Sequence, residues 1–285
     1  MLRIKVSATS ANFCVGFDVC GIAVNIYNEF TFEKSSEFEF IGFLDKYKSK
    51  NTNLLYQAYE YVFKFLNKEI IPVKMSIKEG IPISRGLGSS SSLIVAGVLA
   101  ANEILNKPLS MEECLNLSAQ IEGHPDNVAP AIYGSFTTCY KINDCYYHNI
   151  YKINPNLKFM VIIPNKTIST HEARNVLPKE YSINDCVNNL SRIINIPRAL
   201  ENGDLNLLRN LFFDRIHEPY RCKLIPNYYE IKNVCDNNNS ILAISGSGST
   251  MLVISDSYDI IDKLKVFNNE VRKAEIDDGV KIYYE

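Results

Sequence analysis

The chain has 285 residues, a formal net charge of −2, and 46% hydrophobic and 22% charged residues. That length fits one large domain or two smaller ones, and the near-neutral balance gives no support for a nucleic-acid or membrane partner. No stretch approaches the ~18 uninterrupted apolar residues of a membrane helix, and the opening MLRIKVSATSANF has no apolar run behind Arg3 and Lys5, unlike a secretory signal.

The eight cysteines include no C-x-x-C pair, and none stands beside a histidine at metal-ligand spacing. They read as reduced, mostly buried thiols of a cytoplasmic protein, with no zinc site expected.

In chain order, RIKVSA alternates like a half-buried strand, and FTFEKS and FEFIGF read as further strands. From Asn53, apolar residues at 54, 55, 58, 62, 65 and 66 have helical spacing. VKMSIKE alternates again, Ser90 to Asn102 reads as a buried helix, and Ser110 with Glu113 forms a capping box for a helix to about Ile121. YGSFTTCY reads as a strand. The polar, turn-rich KINDCYYHNIYKINPN then marks a boundary near residue 150, dividing the chain into 1–150 and 151–285. LKFMVIIP opens the second half as a strand, and helices are expected across 183–211. ILAISGSGSTMLVIS reads as two strands joined by a small-residue turn, followed by a helix from about Tyr258 and a last strand, VKIYYE. The mixture predicts an α+β protein of two domains.

PISRGLGSSSSLIVAG, from Pro82 to Gly97, carries the clearest chemistry. A helix start leaves backbone N–H groups unpaired at the positive end of the helix dipole, which suits an anion. Gly86 and Gly88 let backbone approach a phosphate, and the serines offer hydroxyls to phosphate or magnesium. The loop is neither a Walker A motif, which needs G-K-[ST], nor G-x-G-x-x-G, since position 91 is serine. Read alone, it fits either a phosphate cradle or an ordinary capped helix start.

The pattern P-x-x-x-G-L-G-S-S resembles the phosphate loop of the GHMP kinases, and further segments in the same order resemble the homoserine kinases among them. VSATSANFCVGFDVCGIAV is similar to their P-A-T-S-A-N-x-G-x-G-F-D-x-x-G, with Ser7 for proline and Cys14 for glycine. IEGHPDNVAP, STHEAR, HEPYRCKLIP and SGSGST complete the series, with Ser249 replacing a proline. The similarity runs from Val6 to at least Thr250.

It implies a two-domain GHMP fold, with an N-terminal nucleotide-binding domain and a C-terminal ferredoxin-like domain. It also implies ATP and Mg²⁺ as cofactors, an amino-acid alcohol as acceptor, and a homodimer. ATP is expected on Pro82, Ile83, Ser84, Arg85, Gly86, Leu87, Gly88, Ser89, Ser90, Ser91 and Ser92, with Asn53 near the base. Ser90 and Glu122 are the implied magnesium ligands.

Homoserine is a zwitterion with a primary hydroxyl. The resemblance gives its carboxylate to Arg174 and Arg221, whose planar forks suit carboxylates. It gives the ammonium to Asp18 and the hydroxyl to Asn12 and Asn127, with Thr170 and His124 close by. Taken alone, Asn12 and Asp18 fit turn chemistry as well. Asp126 stands where mevalonate kinases carry a proposed base; whether it or the γ-phosphate takes the hydroxyl proton stays open. Asp126, Asn127 and Glu122 are the candidate catalytic residues. A mevalonate-type kinase and a non-catalytic ATP-binding protein on the same fold are the alternatives.

Overall fold

A computed structural model describes residues 1–284. Strand β1 (Leu2–Ala11) runs antiparallel to β2 (Cys20–Lys34), with Leu2 opposite Phe32 and Ala11 opposite Gly21. The expected strand at Phe30–Ser35 is thus the end of a 15-residue one. Its first five residues are buried on both faces, which hides the alternation by which a strand is recognised.

Strand β3 (Glu39–Ile41) lies parallel to β4 (Val73–Lys78). Helix α1 (Leu54–Phe65), between them in sequence, is capped by the Asn53 side chain, which accepts from Tyr56 N–H. The buried helix α2 (Ser89–Ile104) and α3 (Met111–Glu122) follow, and α3 carries both hydrogen bonds of the Ser110/Glu113 capping box. After α4 (Val128–Tyr133), strands β5 (Phe136–Ile142) and β6 (Cys145–Tyr151) form a hairpin. Residues 145–151, read as part of a connector, are therefore paired strand. Asn143 and Asp144 both take positive φ at the tip, as a two-residue hairpin turn requires.

The second half begins with β7 (Lys158–Ile163). Helices α5 (Thr170–Asn175), α6 (Ile183–Ile193), α7 (Ile196–Asn202), α8 (Leu205–Leu211), α9 (Glu218–Arg221) and α10 (Tyr228–Asn237) lead to β8 (Ile241–Ile244) and β9 (Met251–Ser255). The helix expected from Tyr258 is the short α11 (Ile261–Lys265). It is followed by β10 (Glu270–Ala274), a mostly charged strand without an apolar signature, and by β11 (Lys281–Tyr284). Glu285, in the expected last strand, lies outside the described residues.

The strands form two sheets. The first runs β11-β1-β2-β4-β3, with β5 on β2 and β6 on β5. The second is fully antiparallel in the order β10-β7-β9-β8. Numbered within that sheet the order is 4-1-3-2, with helices after its first and third strands, which is the split βαβ arrangement of ferredoxin-like folds.

One core lies between the first sheet and α1–α4, with Ile4, Phe30 and Met75 against Tyr59, Phe63 and Leu99. A second joins the two sheets through Ile22, Val24, Phe159, Val161 and Leu252. A third covers the outer face of the second sheet. The joining core leaves a cavity of ≈ 330 Å³ above it, where α2 begins.

Candidate active site

The loop before α2 is held open by backbone contacts from distant segments. Thr9 N–H donates to Leu87 O (3.1 Å), Thr250 N–H to Arg85 O (3.0 Å), and Ser245 Oγ to Gly86 O (2.6 Å). Both glycines take positive φ. A Cβ on Gly86 would lie 2.2 Å from Ser245 O, and one on Gly88 2.1 Å from Thr9 Oγ1, so no other residue fits either position without displacement. Gly88 is the N-cap of α2 and no side chain caps that end. The first N–H groups of a 16-residue helix are thereby left for a ligand.

Ile83, Ser84, Arg85, Gly86, Gly88, Ser89, Ser90 and Ser91 line the cavity. Pro82, Leu87 and Ser92 do not, contrary to expectation. The Leu87 side chain is 1% exposed, in the core that joins the sheets. The Ser92 hydroxyl is used internally, donating to Ser89 O (2.7 Å) and accepting from Asn28 (3.0 Å).

Asn53 lines the same cavity, as do Phe43 and Tyr47. Its amide is already committed, Oδ1 to the α1 cap and Nδ2 to Tyr47 O (2.8 Å), so it shapes the cavity wall rather than offering free polar atoms to a base.

Beside the loop, Glu122 closes α3 and accepts from Ser91 Oγ at 2.8 Å and Ser90 Oγ at 3.5 Å. Burial pushes its carboxyl above the ordinary value, and the Ser91 hydrogen bond only partly offsets this. A half-buried carboxylate flanked by two hydroxyls suits a hard cation that also takes phosphate oxygens and waters. Ser91, which was not expected as a partner of Glu122, is the closer of the two serines.

The far end of the cavity gathers the charged residues. Asp18 and Arg174 face each other in a bidentate pair (2.9 and 3.0 Å). Arg221, 2% exposed, donates to Ala173 O and Gly246 O (both 3.1 Å). Burial and the charge of Arg174 weaken its hold on a proton, and an anion would relieve both effects. The Phe17 ring lies beneath both guanidinium groups, 5.6 Å from Arg174 and 5.1 Å from Arg221.

Asn12 takes a left-handed conformation, donates to Gly246 O (2.9 Å) and accepts from Asp18 N–H (3.1 Å). The 12–18 loop is thereby fixed from both sides. Behind it, buried His217 bonds Cys14 O (2.6 Å) through Nε2 and stacks on Phe17.

Asp126, 1% exposed, holds His124 Nδ1 at 2.5 Å. Burial opposes charge on His124, yet that bond and the surrounding carboxylates raise its affinity for a proton. Ligating atoms of Asp18, His124 and Asp126 lie within 4.8 Å of one another. Asn127 Oδ1 accepts from Thr9 Oγ1 (2.7 Å), and Thr170 lines the same wall at the start of α5.

All seven residues expected around the acceptor therefore meet in one cavity with Ser90 and Glu122. Thr9, Phe43, Tyr47 and the Gly246 carbonyl went unassigned. Thr9 sits within a recognised motif, where its link to Asn127 could be sought. Phe43 and Tyr47 stand in a segment with no motif.

An uncapped, glycine-lined helix start facing a pocket of paired charges is the architecture of a small-molecule kinase. Residues 53–135 match the family model described as the GHMP kinases N terminal domain. A homoserine kinase of Clostridium botulinum (strain Langeland) is 39% identical over 287 residues, covering 97% of this chain and 96% of the relative. One of Clostridium beijerinckii is 42% identical, covering 94% and 91%. The crystal structure of a homoserine kinase from Cytophaga hutchinsonii superposes with a TM-score of 0.88 at 26% identity, covering 99% of this chain and 97% of that one. The chain belongs to the homoserine kinase family of GHMP kinases.

Proposed function

We propose that this protein transfers the γ-phosphoryl group of ATP to the hydroxyl of L-homoserine, yielding ADP and O-phospho-L-homoserine for threonine biosynthesis. The observation that carries the reading is the meeting of the uncapped start of α2 with Asp18, Arg174 and Arg221 in one cavity. The loop from Ile83 to Ser91 receives the phosphates on its backbone N–H groups, with Phe43 and Tyr47 flanking the base. Arg174 and Arg221 take the acceptor's carboxylate, Asp18 its ammonium, and Asn12 and Asn127 aim its hydroxyl. Ser90, Ser91 and Glu122 fit a magnesium ion, which when bound neutralises developing charge on the phosphates. The protein contributes mainly by positioning and by charge placed in advance.

Binding requires an exchange of partners. Asp18 and Arg174 now satisfy each other, and a zwitterion offers each a replacement: carboxylate for Arg174, ammonium for Asp18. Mevalonate, which has no ammonium, would separate the pair and leave Asp18 unpartnered. That argues against a mevalonate-type kinase.

The resemblance also supports a boundary near residue 150, a cytoplasmic location and a homodimeric state; no helix among the described residues is long and apolar enough to cross a membrane. The deciding assay follows ADP release with Mg·ATP and, in parallel, L-homoserine, D-homoserine, L-serine, mevalonate and galactose. Turnover confined mainly to L-homoserine is expected. Turnover of mevalonate instead would overturn the acceptor site, and ATP binding without any turnover would overturn the enzyme.

A further inference from the structure

Helix α6 packs on the protein through its polar side. Asp185 accepts from Arg215 (3.2 Å), and Asn188 donates to Phe213 O (2.8 Å). Buried Asn189 donates to Asp214 (2.5 Å) and accepts from Arg215 N–H (3.1 Å). Of the helix's aliphatic residues only Ile193 packs inward. Ile183, Val187, Leu190 and the C-cap residue Ile194 are 81%, 55%, 63% and 74% exposed. At 3.6 residues per turn these four fall within about 60° of one another. A surface helix ordinarily turns such a stripe to the core. Here the inward polar groups are hydrogen-bonded, so rolling the helix over would break them.

We propose that this stripe is the contact face between two copies of the chain, packed with their α6 helices antiparallel about a two-fold axis. The inference names the face of the homodimer proposed above and rests on that state. The spacing is symmetric about the point between Asn188 and Asn189. An antiparallel copy sets Ile183 against the partner's Ile194, and Val187 against the partner's Leu190. A two-fold contact demands such self-complementarity.

The border residues Asn184, Cys186, Ser191 and Asn195 are exposed and uncharged, so the axis brings no charge against its own copy. Asp185 and Arg192 lie on the far side of the helix. The four side chains form a continuous apolar strip on each copy. That suits the apolar centre of an interface of about 800 Å² per partner, with the neutral border supplying the remainder.

Sedimentation velocity on the full chain at tens of micromolar tests this, comparing wild type with Leu190→Glu and with Tyr147→Glu. Tyr147 is another exposed apolar residue, on the β5–β6 hairpin. The wild type is expected to sediment as a dimer. Leu190→Glu is expected to weaken association roughly 100-fold, because like charges then meet near the axis, while Tyr147→Glu leaves it intact. Circular dichroism confirms that both exposed-site variants fold. A monomeric wild type overturns the homodimer and this face together. A dimer that tolerates Leu190→Glu overturns the face alone.

Discussion

The two ends of the cavity are built on different principles. At the end proposed for the nucleotide the groups on offer are largely backbone, fixed by two glycines that tolerate no Cβ and by hydrogen bonds from Thr9, Ser245 and Thr250. At the end proposed for the acceptor they are ionised or polar side chains that already satisfy one another: Asp18 with Arg174, His124 with Asp126, Thr9 with Asn127. A phosphate chain can settle into the first end without disturbing it. An acceptor must compete for the second, so selectivity belongs there.

The contrast predicts which kinetic constant each substitution moves. The largest effect is expected at the acceptor end: Asp126→Asn should lower kcat by more than ~100-fold if this carboxylate takes the hydroxyl proton. A loss of only a few-fold would assign the proton to the γ-phosphate. Asp18→Asn should raise KM for L-homoserine by about 100-fold, by removing the ammonium's partner, and leave KM for ATP in place. Equal rises in both constants would erase the distinction between the two ends. Gly86→Ala should do the reverse, raising KM for ATP by roughly 10- to 100-fold because its Cβ meets Ser245 O. An unchanged KM for ATP would show that the loop is not held as rigidly as described.

Two smaller effects concern the supports. Glu218 is half-buried, its carboxyl turned inward to accept from Ile244 N–H (2.6 Å), and the loss of solvent around that carboxyl pushes it up to about 8. The folded chain keeps that proton to about pH 8, whereas the unfolded chain releases it near its ordinary value of 4.5. The contribution of this group to stability therefore falls as pH rises between those values. In Glu218→Gln, urea midpoints measured across that window should decline less steeply than in the wild type; parallel declines would refute the assignment. Asn53→Ala should cost about 1 kcal/mol through loss of the α1 cap, visible as a lowered melting temperature. An unchanged melting temperature would show that the cap is dispensable.

The sequence disclosed the parts of this site in proportion to how local they are. The phosphate loop is contiguous, and its glycines announce a backbone need. Asp18, Arg174 and Arg221 are scattered over two hundred residues; only resemblance connects them, and their mutual pairing lay beyond it. The Asn53 amide looked available because a helix cap and a base contact call for the same residue type. Phe43 and Tyr47 gave no signal, since an aromatic in a loop is ordinarily just packing.

Among the elements, α1 and α3 were legible from periodicity and caps. The start of β2 was hidden by burial on both faces, β6 by the turn residues that flank it (Asn143, Asp144, Asn154 and Pro155), and β10 by its charge. The ferredoxin-like order of the second sheet needs β10, so that topology was reachable through likeness and not through pattern.

The last described strand pairs with the first, Leu2 lying opposite Tyr284 and Lys5 opposite Lys281. During synthesis the ribosome must therefore deliver residue 284 before the outer edge of β1 is covered. Until then the nascent chain carries an open strand edge through the making of the entire second sheet. The first sheet is therefore completed only after the second half has been made. A chain stopped at residue 280 should emerge as a chaperone client prone to edge-to-edge association, even though it retains every residue that lines the cavity.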